Sequence, residues 1–273
     1  MERVFSLICE ISFADEKFKS AQRFNAKMAK KFGADWVIQY GPNDVDVEFI
    51  TENAEIWNNN RGYGYWIWKP YLTLKTIEML DYGDYLIYMD AGACFTGNIQ
   101  QLIDVMEKDS TDIMIFCLHS IEKHYSKRDA LILMEADLPE YYETPQRCAT
   151  YFLLKKSDKS IRFVKEWLHY SKDSRIITNN PNVMGKPNHE GFVENRHDQT
   201  VLSLLSKKWN IDVYRDPAPY GLDMKYPQDV LNRSPYMQVV DAHRYCFMPR
   251  TYWCYKNVNR LTFEKWYRFF HKK

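Results

Sequence analysis

Four segments gather side chains able to hold a charged, hydroxylated ligand. Asp90 ends an apolar run over residues 84–90 and is followed by Ala91, Gly92 and Ala93. An acid beyond the carboxyl end of a strand sits where open α/β sheets bind ligands. The small residues after it leave room for a phosphate carried with Mg²⁺ or Mn²⁺, ions that favour carboxylate oxygens. The same residues also suit a plain turn or a helix cap. In the second segment, Arg61-Gly62-Tyr63-Gly64-Tyr65-Trp66-Ile67-Trp68-Lys69-Pro70-Tyr71, two glycines stand among five aromatics. Glycine permits a tight backbone path, Tyr65 and Trp66 offer stacking faces, and Arg61 and Lys69 offer charge for a diphosphate. A buried aromatic hinge is the competing reading, and Trp66 and Trp68 also suit a core. The third segment, Arg196-His197-Asp198-Gln199, opens an apolar helix. Asp198 either complements the helix dipole or serves with His197 and Gln199 as acid/base and amide partners for hydroxyls. The fourth is Asp241-Ala242-His243-Arg244, where His243 is a candidate ligand for a metal at Asp90 and Arg244 a candidate phosphate partner. A structural hydrogen bond is the alternative for His243.

The elements that must position these groups alternate in type. Apolar runs at 4–8, 35–40, 84–90 and 112–118 read as strands; helical spacing appears at 15–32, 71–80 behind Pro70, and 98–108. This βαβα order predicts a mainly parallel sheet with helices on both faces. Further on, 150–154 reads as a strand, 127–135, 159–170 and 197–208 as helices, and 172–196 as a long loop of the kind that is usually functional. Residues 215–250 read as irregular. No linker or internal repeat divides the chain, so one domain is expected, with halves at 1–120 and 121–260 and a tail at 261–273.

Composition narrows the function classes. Lys and Arg number 37 against 36 Asp and Glu, which argues against a nucleic-acid-binding surface. None of the six cysteines forms a CxxC pair and several lie in apolar runs, so buried reduced thiols and a reducing, cytoplasmic compartment are expected. The start lacks the pattern of a secretory leader, and no run is apolar and long enough to span a membrane.

Taken together, the segments resemble bacterial and viral nucleotide-sugar glycosyltransferases of the GT-A type. The nearest resemblance is to capsular and lipopolysaccharide sugar transferases that carry Gly-Tyr-Gly-Tyr-Trp-x-Trp-Lys-Pro-Tyr, here residues 62–71. It continues through residues 83–92 and 197–203 and covers roughly 1–215. It implies a Rossmann-like α/β fold and transfer of a sugar from a nucleoside diphosphate, with a UDP-sugar expected, to a hydroxyl of a glycan or lipid-linked acceptor. Such enzymes hold Mn²⁺ or Mg²⁺ with Asp-x-Asp; here the match is Asp90-Ala91-Gly92, so the second acid is missing, and His243 is the position to complete the shell. Without a metal, Arg61, Lys69 and Arg244 would have to neutralise the diphosphate. The resemblance makes Asp198, beside His197, the catalytic carboxylate, as a general base or a partner of sugar hydroxyls. It adds Gln146 and Gln199 to the donor site, and Lys127 and Asp129 as weaker candidates.

A non-catalytic nucleotide-sugar-binding protein with a degenerate metal site is the alternative. A nucleotidyltransferase would need a Gly-rich basic loop after the first strand, and residues 9–14 lack one. In the tail, Phe263, Trp266, Tyr267 and Phe270 fall near one helical face among basic residues. That pattern suits either peripheral contact with the inner face of an anionic membrane or packing on the domain.

Overall fold

The computed structural model describes residues 6–246, so the tail at 261–273 lies outside the described residues. Seven strands form one sheet in the order β2-β1-β3-β7-β5-β6, with β8 on β5. They are β1 (Ile8–Phe13), β2 (Trp36–Tyr40), β3 (Tyr85–Met89), β5 (Ile113–Ile121), β6 (Pro145–Arg147), β7 (Tyr151–Lys155) and β8 (Val213–Tyr214). β4 (Cys94–Phe95) and β9 (Val240–Asp241) pair antiparallel on their own.

The first three strands are parallel, as the βαβ order requires. The run at 150–154 forms β7, which enters antiparallel between β3 and β5. The sheet is therefore mainly but not wholly parallel, and it crosses both expected halves of the chain. The first strand starts later than expected and runs through two polar residues. Cys9, Ile11 and Phe13 join the core on one face, while Glu10 and Ser12 are buried on the other. Burial pushes the Glu10 carboxyl well above its ordinary value, so the strand carries it uncharged.

Helices Lys19–Lys31 and Gln100–Lys108 bury apolar stripes against one face of the sheet. Helices Trp68–Met79, Asp158–Ser171 and Asp198–Lys208 pack together on the other. Trp167 lies at the centre of this second layer, fully buried, with its indole N–H donating to the Asp198 carbonyl at 3.1 Å. That bond fixes the start of the last helix relative to the core.

The 172–196 segment is mostly irregular but firmly tied. Asp129 accepts the amides of Val183 and Met184 at 2.6 and 3.0 Å, and Lys127 donates to the Asn180 carbonyl at 2.7 Å. Lys127 and Asp129 thus have a structural account, as anchors of this loop. Among the described residues no helix is long and apolar enough to cross a membrane.

Candidate active site

Two cavities meet beyond the carboxyl ends of β1 and β3. One, of about 470 Å³, is bordered by Phe13, Phe18, Tyr63, Trp66 and Trp68, with Asp15, Lys17 and Asn60 among its polar groups. The other, of about 440 Å³, is bordered by ionisable and amide side chains, among them Arg61, Lys69, Arg196, His197, Asp198, Gln199 and Asp216. Trp66, Asp90, Thr150 and Arg244 line both.

The aromatic wall owes its shape to an unusual backbone. From Gly62 to Trp66 five consecutive residues have positive φ, at 58°, 54°, 84°, 52° and 60°. This is a left-handed turn, disfavoured by roughly 1–2 kcal/mol for each non-glycine residue. The glycines are required for contact as well as for φ. A Cβ on Gly62 would stand 2.3 Å from the Trp66 ring, and one on Gly64 would stand 2.9 Å from Cα of Trp57. Among the bonds that close the turn are Gly64 N–H to the Asn59 carbonyl, Tyr65 N–H to that of Arg61, and the Trp66 N–H and Trp68 indole N–H to that of Gly62. Phe13 stacks on Trp68 with centroids 3.8 Å apart. Tyr65 borders neither cavity; it lies buried behind the wall, its ring 4.7 Å from that of His197.

Asp90 directly follows β3, and its N–H donates to the Thr150 carbonyl at 2.8 Å. Its Oδ1 accepts the Tyr88 hydroxyl at 2.6 Å and meets the Lys69 ammonium at 3.2 Å. Lys69 is 3% exposed and bridges onward to Asp198 Oδ2 at 2.7 Å and to the Ala149 carbonyl at 3.1 Å. Its three protons are thereby directed at three acceptors. Burial alone would lower the Lys69 pKa, but the Asp198 and Asp90 carboxylates outweigh it and hold it above the usual value. Burial raises Asp198 to about 6 in spite of Lys69. Lys69 is therefore the fixed counter-ion of two carboxylates, rather than a cation presented to phosphate.

His197 is buried, with φ 56° and ψ −118°, a strained conformation for a non-glycine residue. Its Nδ1 lies 2.7 Å from the Ile177 carbonyl, which requires a proton on Nδ1 and leaves the lone pair on Nε2. Burial lowers its pKa to about 4. A neutral imidazole of such low basicity is a hydrogen-bond acceptor rather than the acid/base group expected from the sequence.

Gln146 is fully buried and borders neither cavity. Its Oε1 accepts from Gln199 Nε2 at 2.8 Å and from Arg196 Nη1 at 3.2 Å, so it positions two cavity residues instead of touching a ligand itself. Gln199 Oε1 accepts the Ala149 amide at 3.3 Å. Arg61 reaches the charged cavity with its guanidinium paired to Glu194 at 2.7 Å. Glu194 and Asp216 are cavity residues outside the four candidate segments, and Arg196 opens the third segment without a role of its own there. Asp216 accepts from the Ala218 amide at 2.8 Å and the Tyr151 hydroxyl at 2.5 Å, and burial raises its pKa.

The expected metal set does not fit a resident ion. Among the described residues no group of three or more His, Cys, Asp and Glu could hold one. His243 is buried, its Nδ1 accepts the Tyr245 amide at 3.1 Å, and it borders neither cavity. At Gly92 the space for an acid is tight. A Cβ there would lie 3.2 Å from Cα of Arg244, whose N–H donates to the Gly92 carbonyl at 2.7 Å. The β4–β9 pair brings these strands together, so the missing carboxylate is matched by an arginine at the seam of the two cavities.

No family model matches the chain, and no curated protein matches it. Solved structures do resemble it. The apo structure of the bifunctional glycosyltransferase WbbM aligns with 88% of this chain at 10% identity and a TM-score of 0.47; this chain spans 46% of that one. Mouse xyloside xylosyltransferase 1, apo form, aligns with 87% of this chain and 97% of its own at 10% identity and a TM-score of 0.42. The galactosyltransferase LgtC in complex with donor and acceptor sugar analogues aligns with 93% and 94% at 14% identity and a TM-score of 0.44. With TM-scores below 0.5, the likenesses leave the functional reading to the two cavities themselves.

Proposed function

We propose that this chain is a glycosyltransferase that moves a sugar from a nucleoside-diphosphate sugar, a UDP-sugar, to a hydroxyl of a glycan or lipid-linked acceptor. The observation that carries the reading is the pairing of an aromatic cavity with a charged one across a seam holding Arg244 and Asp90. A nucleotide sugar has the same three parts in the same order: a flat base, a diphosphate and a polyhydroxylated ring. The base lies against the Tyr63 and Trp68 side of the aromatic cavity. The diphosphate crosses the seam, where Arg244 faces the charge that grows on the leaving phosphate. The sugar enters the charged cavity, with the Trp66 ring beneath it and Asp198 as the carboxylate that takes the acceptor's proton. Lys69 keeps Asp198 and Asp90 in place and offsets one of their two charges. No step is assigned to a divalent ion, because the side chains at the seam do not form a shell for one.

Cys9, Cys117, Cys148 and Cys246 are free thiols, and burial pushes Cys9 and Cys148 up to about 12. Inert buried thiols such as Cys9 and Cys148 suit the reducing cytoplasmic setting in which nucleotide sugars are used.

Thermal unfolding in the presence of UDP-, GDP- and CDP-sugars tests the reading. A ligand at a hundredfold its Kd stabilises the folded state by about 2.7 kcal/mol. UDP-sugars should raise Tm, in EDTA as well as in Mn²⁺, and Arg244→Ala should abolish the rise. Slow release of UDP from the donor without acceptor separates an enzyme from a binding protein. If no nucleotide sugar moves Tm, the proposal is lost.

A further inference from the structure

Two arginines of the charged cavity, Arg196 and Arg244, make no ion pair among the described residues, and of the two only Arg196 lines this cavity alone. Arg61 is paired with Glu194, and Lys69 with Asp90 and Asp198. Arg196 makes no ion pair among the described residues. Its guanidinium lies 3.7 Å over the Tyr125 ring, and Nη1 donates to Ser120 Oγ at 3.1 Å and to Gln146 Oε1 at 3.2 Å. Both acceptors are neutral. Nε and Nη2 have no hydrogen-bond partner among the described residues. Those two groups form one edge of the guanidinium, the fork that meets a carboxylate with two parallel bonds. Burial lowers the Arg196 pKa, and Tyr125, Glu194 and Glu122 offset it only in part.

The neighbouring residue supplies a second, independent observation. His197 Nε2 is buried and has no hydrogen-bond partner, while the residue borders the same cavity. With Nδ1 committed to the Ile177 carbonyl, Nε2 is an acceptor waiting for a hydroxyl. The Trp66 ring stacks on this imidazole, with centroids 5.4 Å apart, and lines the cavity beside it.

We propose that Arg196 and His197 form a subsite for an acidic sugar, in which the Arg196 fork takes a ring carboxylate and His197 Nε2 accepts a ring hydroxyl. The ligand class is a uronic acid. The assignment rests on the glycosyltransferase reading for its place in the reaction, as recognition of the transferred sugar or of the acceptor residue. A neutral sugar would leave the fork unmatched. The donor diphosphate is the competing anion, and position argues against it: Arg244 lines both cavities, whereas Arg196 lines only the charged one.

The test compares methyl glucuronoside with methyl glucoside by saturation-transfer NMR on the full chain, and in parallel measures UDP binding by calorimetry. The glucuronoside should bind at least tenfold more tightly than the glucoside. Arg196→Gln should erase that preference and leave UDP affinity within twofold. Equal binding of the two glycosides to the unaltered protein would overturn the proposal, and that comparison does not depend on the variant folding. A tenfold loss of UDP affinity in Arg196→Gln would also overturn it, by assigning the arginine to the diphosphate. Failure of the unaltered protein to bind UDP at all would instead count against the glycosyltransferase reading, and the glycoside comparison would still decide the subsite.

Discussion

The two cavities share four lining residues but are built on different physics. The aromatic cavity is held by packing and backbone shape: Phe13 on Trp68, and a left-handed turn that only the two glycines allow. The charged cavity is held by compensation, with one buried ammonium between two carboxylates and an amide network that fixes Arg196 and Gln199. A packed wall loses shape when a side chain is trimmed. A compensated wall loses far more, because the partner left behind is a buried charge.

Lys69 therefore carries the largest expected effect. Replacing it with Met keeps the stem but leaves Asp198 with no counter-ion. Breaking a buried pair from one side costs about 3–5 kcal/mol. Lys69→Met should lower Tm by several degrees and reduce donor turnover by more than a hundredfold, measured as UDP release. Lys69→Arg should recover only part of either, since the ammonium fits between three acceptors and a planar guanidinium does not. A Lys69→Met protein of ordinary stability would erase the distinction between the two walls.

Much of this was legible in the residue order, and the rest was not for identifiable reasons. The strands at Trp36–Tyr40, Tyr85–Met89 and Ile113–Ile121 follow from apolar runs bounded by turn residues. The same rule finds β7 but not its direction, since an apolar run reads the same in either sense. β1 escapes the rule because it buries Glu10 and Ser12, which break its apolar pattern. At the site, Asp90, Asp198, Gln199 and Arg244 do line the cavities. The inward pairing of Lys69 was hidden, because Asp90 and Asp198 are remote from it in the chain and a lysine among aromatics reads as a phosphate partner. Arg196 stands in a candidate segment, but its role is hidden for the same reason: its lack of an acidic partner is visible only once Ser120 and Gln146 are seen to be what it touches.

The packed wall should respond on a smaller scale and in one place. Gly62→Ala forces a Cβ to within 2.3 Å of the Trp66 ring at a φ of 58°. Strain of this kind costs about 1–3 kcal/mol. Because the ring can swing aside, the expected result is a folded protein with roughly tenfold to thirtyfold weaker UDP binding. The Lys69–Asp198 pair should survive, so the preference for methyl glucuronoside should persist. If Gly62→Ala removes glycoside and UDP binding together, the cavities are coupled more tightly than their different walls imply.

The smallest effect is a pH limb that belongs to the charged wall alone. Asp198 sits at about 6 in the folded protein against an ordinary value of 3.8. As pH falls through 6 it takes a proton, and Lys69 loses one of its two carboxylates. Turnover at pH 5 should then be lower by about tenfold than at pH 7, as expected for a group one unit above the ambient pH. The stability linkage runs the other way. A carboxyl whose folded pKa is raised contributes stability that is fully present below 3.8 and is lost as pH rises through about 6. Acidification to pH 5 should thus slow the enzyme without Asp198 weakening the fold. UDP affinity, which depends on the aromatic wall and Arg244, should hold across the same range. Measuring UDP release, UDP affinity and Tm from pH 5 to pH 8 separates the three. A parallel fall in all of them would mean that acid acts on the whole molecule and not on this carboxylate.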